Sequence, residues 1–177
     1  MGIERDLVVP GIMQRGGRWA VFSAGDPGYA LAARSALGPD AVISVFEREK
    51  RAVARLTSTL DAEGGSTANM RVRQGGVTER QDLKDLDGIV AAQVLHDIPL
   101  ERQQQALSML VSYLSQTGSL LVIEAEQARG SLRVRYPVNY ESFEYFAGLI
   151  GLRDVRRIAL APTGMWSMAY AALAFRD

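Results

Sequence analysis

Short continuous apolar runs alternate along the chain with longer stretches whose apolar positions recur every three or four residues. Runs of the first kind suit strands buried on both faces, and stretches of the second kind suit helices with one buried stripe. The organising stretch is Trp19 to Tyr29, WAVFSAGDPGY, where Trp19, Ala20, Val21 and Phe22 predict a buried strand that Gly25, Asp26, Pro27 and Gly28 break. Tyr29 to Leu37 is rich in Ala and Leu and ends at Gly38 and Pro39, which predicts a helix with a clear stop. Strand, glycine turn and helix in that order place backbone N–H groups at a helix N-terminus, where α/β proteins hold nucleotide-like ligands.

The rest of the chain repeats this rhythm. Ala41 to Phe46 predicts a second buried strand tipped by Glu47, and Lys50 to Leu60 an amphipathic helix that stops at Gly64 and Gly65. Met70 to Gln74 alternates as a short third strand, closed by Gly75 and Gly76. Thr78 to Leu86 is polar, with a brief helix expected. Gly88 to Leu95 is a fourth buried run, interrupted by His96, Asp97, Ile98 and Pro99. Glu101 to Leu114 carries Ala106, Leu107, Leu110, Val111 and Leu114 on one stripe, a helix that Gly118 ends before a fifth strand, Ser119 to Ile123, tipped by Glu124.

Arg129 to Tyr140 has no period and predicts a loop. A helix over Glu141 to Ile150 follows. Val155 to Leu160 and Met168 to Phe175 then predict two strands joined by Ala161 to Gly164, close enough to pair antiparallel. Met1 to Arg18 is a short lead-in broken by Pro10, Gly11, Gly16 and Gly17, with a helical turn or two. These elements imply a doubly wound, mostly parallel sheet.

Composition narrows the chemistry. A chain of 177 residues suits one domain that buries about 70% of its extended surface. Twenty basic residues balance 20 acidic ones, which argues against a dedicated nucleic-acid binder. With no cysteine, thiolate chemistry and disulfides are excluded, and with His96 the sole histidine any metal site would depend on carboxylates; none is expected. No apolar run approaches the roughly 20 residues of a membrane span, and a cytoplasmic location is expected.

Five strand-helix units, each strand ending in a turn or an acid, and a terminal hairpin resemble the class I S-adenosylmethionine-dependent methyltransferases from about Arg18 onward. The resemblance implies an α/β fold over residues 1–177 as a single domain, with 1–17 as lead-in and a seven-stranded sheet in the order 3-2-1-4-5-7-6, strand 7 antiparallel. It also implies S-adenosylmethionine as cofactor and a small-molecule acceptor. No membrane or nucleic-acid partner is expected, and a homodimer is compatible with the pattern.

The family's glycine motif is an acid followed by three alternating glycines after the first strand. Here Ser23 stands at the acid, Gly25 matches the first glycine, and Pro27 and Tyr29 replace the others unless the alignment slips to use Gly28. Asp26 lies inside the turn and is a candidate substitute carboxylate. Glu47 matches the family's ribose-binding acid at close to the expected spacing of about 20 residues, because a carboxylate at a strand end can accept both hydroxyls of a ribose diol. The alternative is an exposed acid pairing with Arg48 or Arg51. After the third strand, Gly75, Gly76 and Val77 stand where an adenine-binding acid is common, so Gly76 and Val77 would contact adenine by backbone. Gln93, within the fourth run, is a further cofactor-binding candidate.

The stretch from Val94 to Glu124 resembles the segment of small-molecule O-methyltransferases in which a histidine after strand four deprotonates the acceptor hydroxyl. A carboxylate ending strand five orients it. His96 and Glu124 fall on those positions. The plainer reading is a histidine that packs, with Asp97 capping the next helix. Arg129, Arg133, Arg135, Tyr136 and Tyr140 form a basic and aromatic cluster suited to an anionic or aromatic acceptor, or to a solvated loop. Two further readings stay open: a methyltransferase fold without catalysis that serves as a binding or assembly partner, and transfer of another group from the same cofactor.

Overall fold

The computed structural model of the protein describes residues 2–62, 68–164 and 167–176. Its centre is a seven-stranded sheet in the order β3-β2-β1-β4-β5-β7-β6. In chain order the strands are β1 (Arg18–Ser23), β2 (Val42–Glu47), β3 (Met70–Gln74), β4 (Leu86–Ala92), β5 (Leu114–Ala125), β6 (Leu152–Gly164) and β7 (Ser167–Arg176). The first five pair in parallel, and β7 runs antiparallel to both β5 and β6. This is the sheet order and strand-7 direction expected above.

Among the described residues five α-helices cover the sheet: α1 (Ile3–Val8), α2 (Pro27–Leu37), α3 (Lys50–Ala62), α4 (Leu100–Ser112) and α5 (Tyr140–Leu149). The central strands are apolar on both sides because both sides are covered. Val21, Ile43, Val45 and Val90 pack on one face with Leu7, Ala30, Leu37 and Leu56 of α1, α2 and α3. Ala20, Phe22, Ile89 and Leu120 pack on the other with Leu107 and Leu110 of α4 and Phe143 of α5.

Local chemistry sets the boundaries. Asp26 caps α2, its Oδ1 accepting from Gly28 N at 2.8 Å, and Pro27 occupies the first turn where no N–H is needed. Asn139 caps α5 in the same way, accepting from Ser142 N at 3.0 Å. Buried Arg34 donates to the carbonyls of Gly38 and Ala41, closing the turn from α2 into β2.

Four expectations change. Residues 75–85 form turns and no helix, so the polar stretch Thr78 to Leu86 crosses from β3 to β4 as a loop. The stripe through Leu114 is helical only to Ser112: Leu86 N bonds Tyr113 O and Leu114 pairs with Leu86, so β5 starts before Gly118. Ala161 to Gly164 continue β6 alongside β7 rather than joining the two, held by the pairs Ala161–Ala169 and Pro162–Met168. Tyr140 opens α5 instead of ending the loop before it. The stop expected at Gly64 and Gly65 lies outside the described residues.

Candidate functional site

The carboxyl ends of β1, β2 and β4 open into a cleft with about 790 Å³ of atom-free space. Open α/β sheets bind ligands at this place, where strand order reverses on either side of β1. The floor is aromatic: Phe22 and Phe46, register partners on β1 and β2, stack with ring centroids 4.8 Å apart. Ser23, Gly25, Glu47, Gly76, Val77 and Gln93 all line it.

Two lining groups have unmet hydrogen-bonding capacity. Ser23 and Glu47 are buried, and neither Ser23 Oγ nor Glu47 Oε2 has a hydrogen-bond partner. The other Glu47 oxygen accepts from Glu49 N at 3.1 Å. A buried polar atom without a partner costs roughly 1–3 kcal/mol, so both are suited to a ligand that restores a donor or acceptor. Gly25 has φ +79°, a conformation that favours glycine, and a Cβ there would touch Ala52 and Oε2 of Glu47. Orphaned acceptor, a glycine of positive φ beside it and a stacked aromatic floor together fit a nucleoside with a diol.

The pairing of Glu47 with Arg48 or Arg51 does not form. Arg48 instead reaches Asp97 at 3.9 Å, joining the β2 side of the cleft to the β4 side; both side chains are largely exposed, so the bridge is weak. Asp26 and Gly28 do not line the cleft. Asp26 is engaged in its cap, and Gly28 is crowded by Glu4 of α1. Tyr29 is buried. Burial above all, then the charges of Asp26, Glu4 and Glu124, push its hydroxyl pKa far up, so it stays neutral.

Beyond β4 lies the second group. Glu124, fully buried at the end of β5, accepts from Leu95 N at 2.7 Å through Oε1 and from His96 Nδ1 at 2.7 Å through Oε2. A carboxylate only accepts, so the ring proton sits on Nδ1 and Nε2 is the basic nitrogen of the neutral ring. Among the described residues Nε2 takes no partner, and it is not one of the buried atoms left unsatisfied. Burial, the largest influence, pulls the His96 pKa down, but the hydrogen bond and charge of Glu124, with the charge of Asp97, outweigh it and leave the pKa raised.

Gln103 of α4, fully buried, supports this turn. Its amide donates to the carbonyls of Leu95, Ile98 and Tyr136. Tyr136 N donates in turn to His96 O at 2.9 Å, which ties residues 126–139 to the histidine turn. Of the basic and aromatic cluster, Arg129, Arg133 and Arg135 are exposed, while Tyr140 lies 5.1 Å beneath the Arg157 guanidinium. Sequence reasoning missed Phe22 with Phe46, and Gln103. A polar residue on the buried stripe of an otherwise clean amphipathic helix was the available signal for Gln103.

Among the described residues no helix is long and apolar enough to cross a membrane, and no cluster of three metal-ligating side chains occurs. No protein-family model matches the sequence, and no curated protein is detectably similar to it in sequence. Solved structures do resemble it. The YcgJ protein from Bacillus subtilis superposes with a TM-score of 0.76 at 12% identity, over 98% of each chain. The CurJ carbon methyltransferase gives 0.71 at 18% identity, covering 92% of this chain and 49% of that one. The mitomycin 7-O-methyltransferase MmcR gives 0.70 at 17% identity, covering 97% of this chain and 53% of that one. This chain therefore spans about half the length of the latter two. Sheet order and likeness together define a class I S-adenosylmethionine-dependent methyltransferase fold.

Proposed function

We propose that this protein is an S-adenosylmethionine-dependent methyltransferase acting on a hydroxyl group of a small molecule, with His96 as general base. The observation that carries the reading is the buried Glu124–His96 pair, which fixes the imidazole and, among the described residues, leaves Nε2 without a partner; His96 does not itself line the cleft but adjoins Asp97, which does. Mitomycin 7-O-methyltransferase, by its name an enzyme that methylates oxygen, shares the fold.

Glu47 would accept hydrogen bonds from the ribose through its orphaned Oε2, Ser23 and Gly25 would border the amino-acid end, and the backbone of Gly76 and Val77 would meet the adenine with Gln93 opposite. Bound there, S-adenosylmethionine supplies a methyl group on a sulfonium sulfur, an electrophile that a neutral hydroxyl attacks poorly. His96 Nε2 would take the hydroxyl proton of the acceptor and so raise the nucleophilicity of its oxygen toward that methyl group. The buried carboxylate of Glu124 stabilises the imidazolium that forms. Loss of the proton to solvent regenerates the base.

One observation favours a second reading, a binding module without catalysis: Asp26, the acid within the first turn, has its side chain committed to capping α2. Thermal unfolding of the purified protein with and without S-adenosylmethionine separates the two. Ligand at about 100 times its Kd adds about 2.7 kcal/mol of stability. The enzyme reading predicts that shift; no shift at millimolar ligand overturns it.

A further inference from the structure

The cleft at the carboxyl ends of the strands has two parts of unlike chemistry. Toward β2 stand the groups that suit a nucleoside, the orphaned Oε2 of buried Glu47 and the Phe22–Phe46 stack. Where β1 and β4 end, the lining residues are Ser23, Ala24, Gly25, Gln93 and Val94, and none of them carries a charge. The charged side chains of the lining belong instead to the end of β2, to Arg55 of α3 and to Asp97 in the histidine turn.

An amino-acid tail carries a carboxylate and an ammonium, and the neutral part of the cleft matches neither. A helix N-terminus holds a carboxylate through free N–H groups, but at α2 Pro27 has none and Gly28 N is taken by Asp26 Oδ1 at 2.8 Å. The charge of Asp26, with Glu4 crowded against Gly28, opposes a second anion there. Arg48 is turned toward Asp97 at 3.9 Å. For the ammonium, Asp26 does not line the cleft, and both oxygens of Glu124 are spent on Leu95 N and His96 Nδ1. Ser23 is 3% exposed, so a charged group reaches its neutral hydroxyl only by leaving water. A charge that leaves water without an opposite partner loses free energy, and the tail therefore stays in solvent.

We propose, resting on the adenosyl assignment of the cleft above, that the site recognises 5′-thioadenosines by their nucleoside portion and leaves the amino-acid tail unrecognised. The ligand class widens accordingly. S-adenosylhomocysteine and 5′-deoxy-5′-methylthioadenosine, which lacks the whole amino-acid portion, bind alike, because the groups that hold them are Glu47 and the aromatic floor. An adenosyl methylsulfonium whose third substituent is some other chain is for the same reason an admissible methyl donor.

The test is calorimetric titration of the full chain with S-adenosylhomocysteine and, in the same buffer, with 5′-deoxy-5′-methylthioadenosine. The expected result is that both bind and that S-adenosylhomocysteine binds no more than about fivefold more tightly. Glu47→Gln is expected to weaken both ligands by the same factor. A larger preference for S-adenosylhomocysteine, or a variant that weakens it alone, overturns the proposal and leaves the cofactor assignment standing. No binding of either ligand overturns both. If Glu47→Gln does not fold, the comparison in the unaltered protein decides by itself.

Discussion

A Cβ built on Gly25 would stand 3.7 Å from Oε2 of Glu47 and 3.6 Å from Cβ of Ala52, so the glycine turn packs directly beside the acid. That oxygen is buried and unbonded, a condition that costs the empty protein stability and that a diol would relieve. Glu47→Gln is expected to leave the thermal midpoint of the unliganded protein unchanged or raised. It should weaken S-adenosylhomocysteine binding by about tenfold or more, two charge-assisted bonds having become neutral ones. Calorimetric titration alongside thermal unfolding checks both; parallel losses would assign Glu47 to the fold.

The Glu124–His96 pair sets a pH dependence. The folded pKa of His96 is raised, so the pair contributes stability that is fully present below the ordinary imidazole value of about 6.5 and is lost as pH rises through the higher folded value. Under the proposed mechanism catalysis would run in the opposite sense, because the neutral ring would be the base. The acid limb of the pH–rate profile should therefore lie above the ordinary imidazole value. Glu124→Gln should move it to lower pH and lower the plateau, and His96→Ala should reduce turnover about a hundredfold or more with cofactor affinity nearly unchanged. Steady-state rates across pH, paired with Kd values, test this.

Asp26 separates a cap from an anchor. Removing its side chain orphans Gly28 N and should cost about 1 kcal/mol, measured by denaturant unfolding of Asp26→Ala. Cofactor affinity should move little. A large affinity loss with unchanged stability would instead assign the carboxylate to the cofactor's ammonium group.

Close packing limits β4. A Cβ on Gly88 would come within 2.2 Å of the Trp19 ring, itself held by a bond from Nε1 to Gly16 O. Gly88→Ala should cost about 1–3 kcal/mol, because the indole must leave its position or the strands must part. Pairing the change with Trp19→Leu should recover part of that loss, which a double-mutant cycle in denaturant reads directly.

The pattern of apolar runs was enough to place β1, β2 and β4, whose residues are largely buried on both sides and whose runs are short and bounded by turn or charged residues. The order of strands was legible only through resemblance to a family, since periodicity says nothing about neighbours. The start of β5 was hidden because Tyr113 and Leu114 continue the stripe of α4, and only pairing with Leu86 turns them into a strand. The length of β6 was hidden because Pro162 and Gly164 read as a turn while tertiary pairing with β7 extends the strand through them. Within the site, residue types marked Glu47, His96 and Glu124. The roles of Asp26 and Gln103 rest on three-dimensional partners that spacing alone does not name.

Glu124 divides its oxygens, one holding the backbone of Leu95 and the other the imidazole. The first task belongs to folding and, on the proposed mechanism, the second to chemistry, so selection would act on this acid for two separable reasons. In a lineage that gave up the reaction and kept the scaffold, the imidazole would be free to drift while the carboxylate stayed. The order in which the two residues disappear among relatives would therefore record whether such a protein was ever an enzyme.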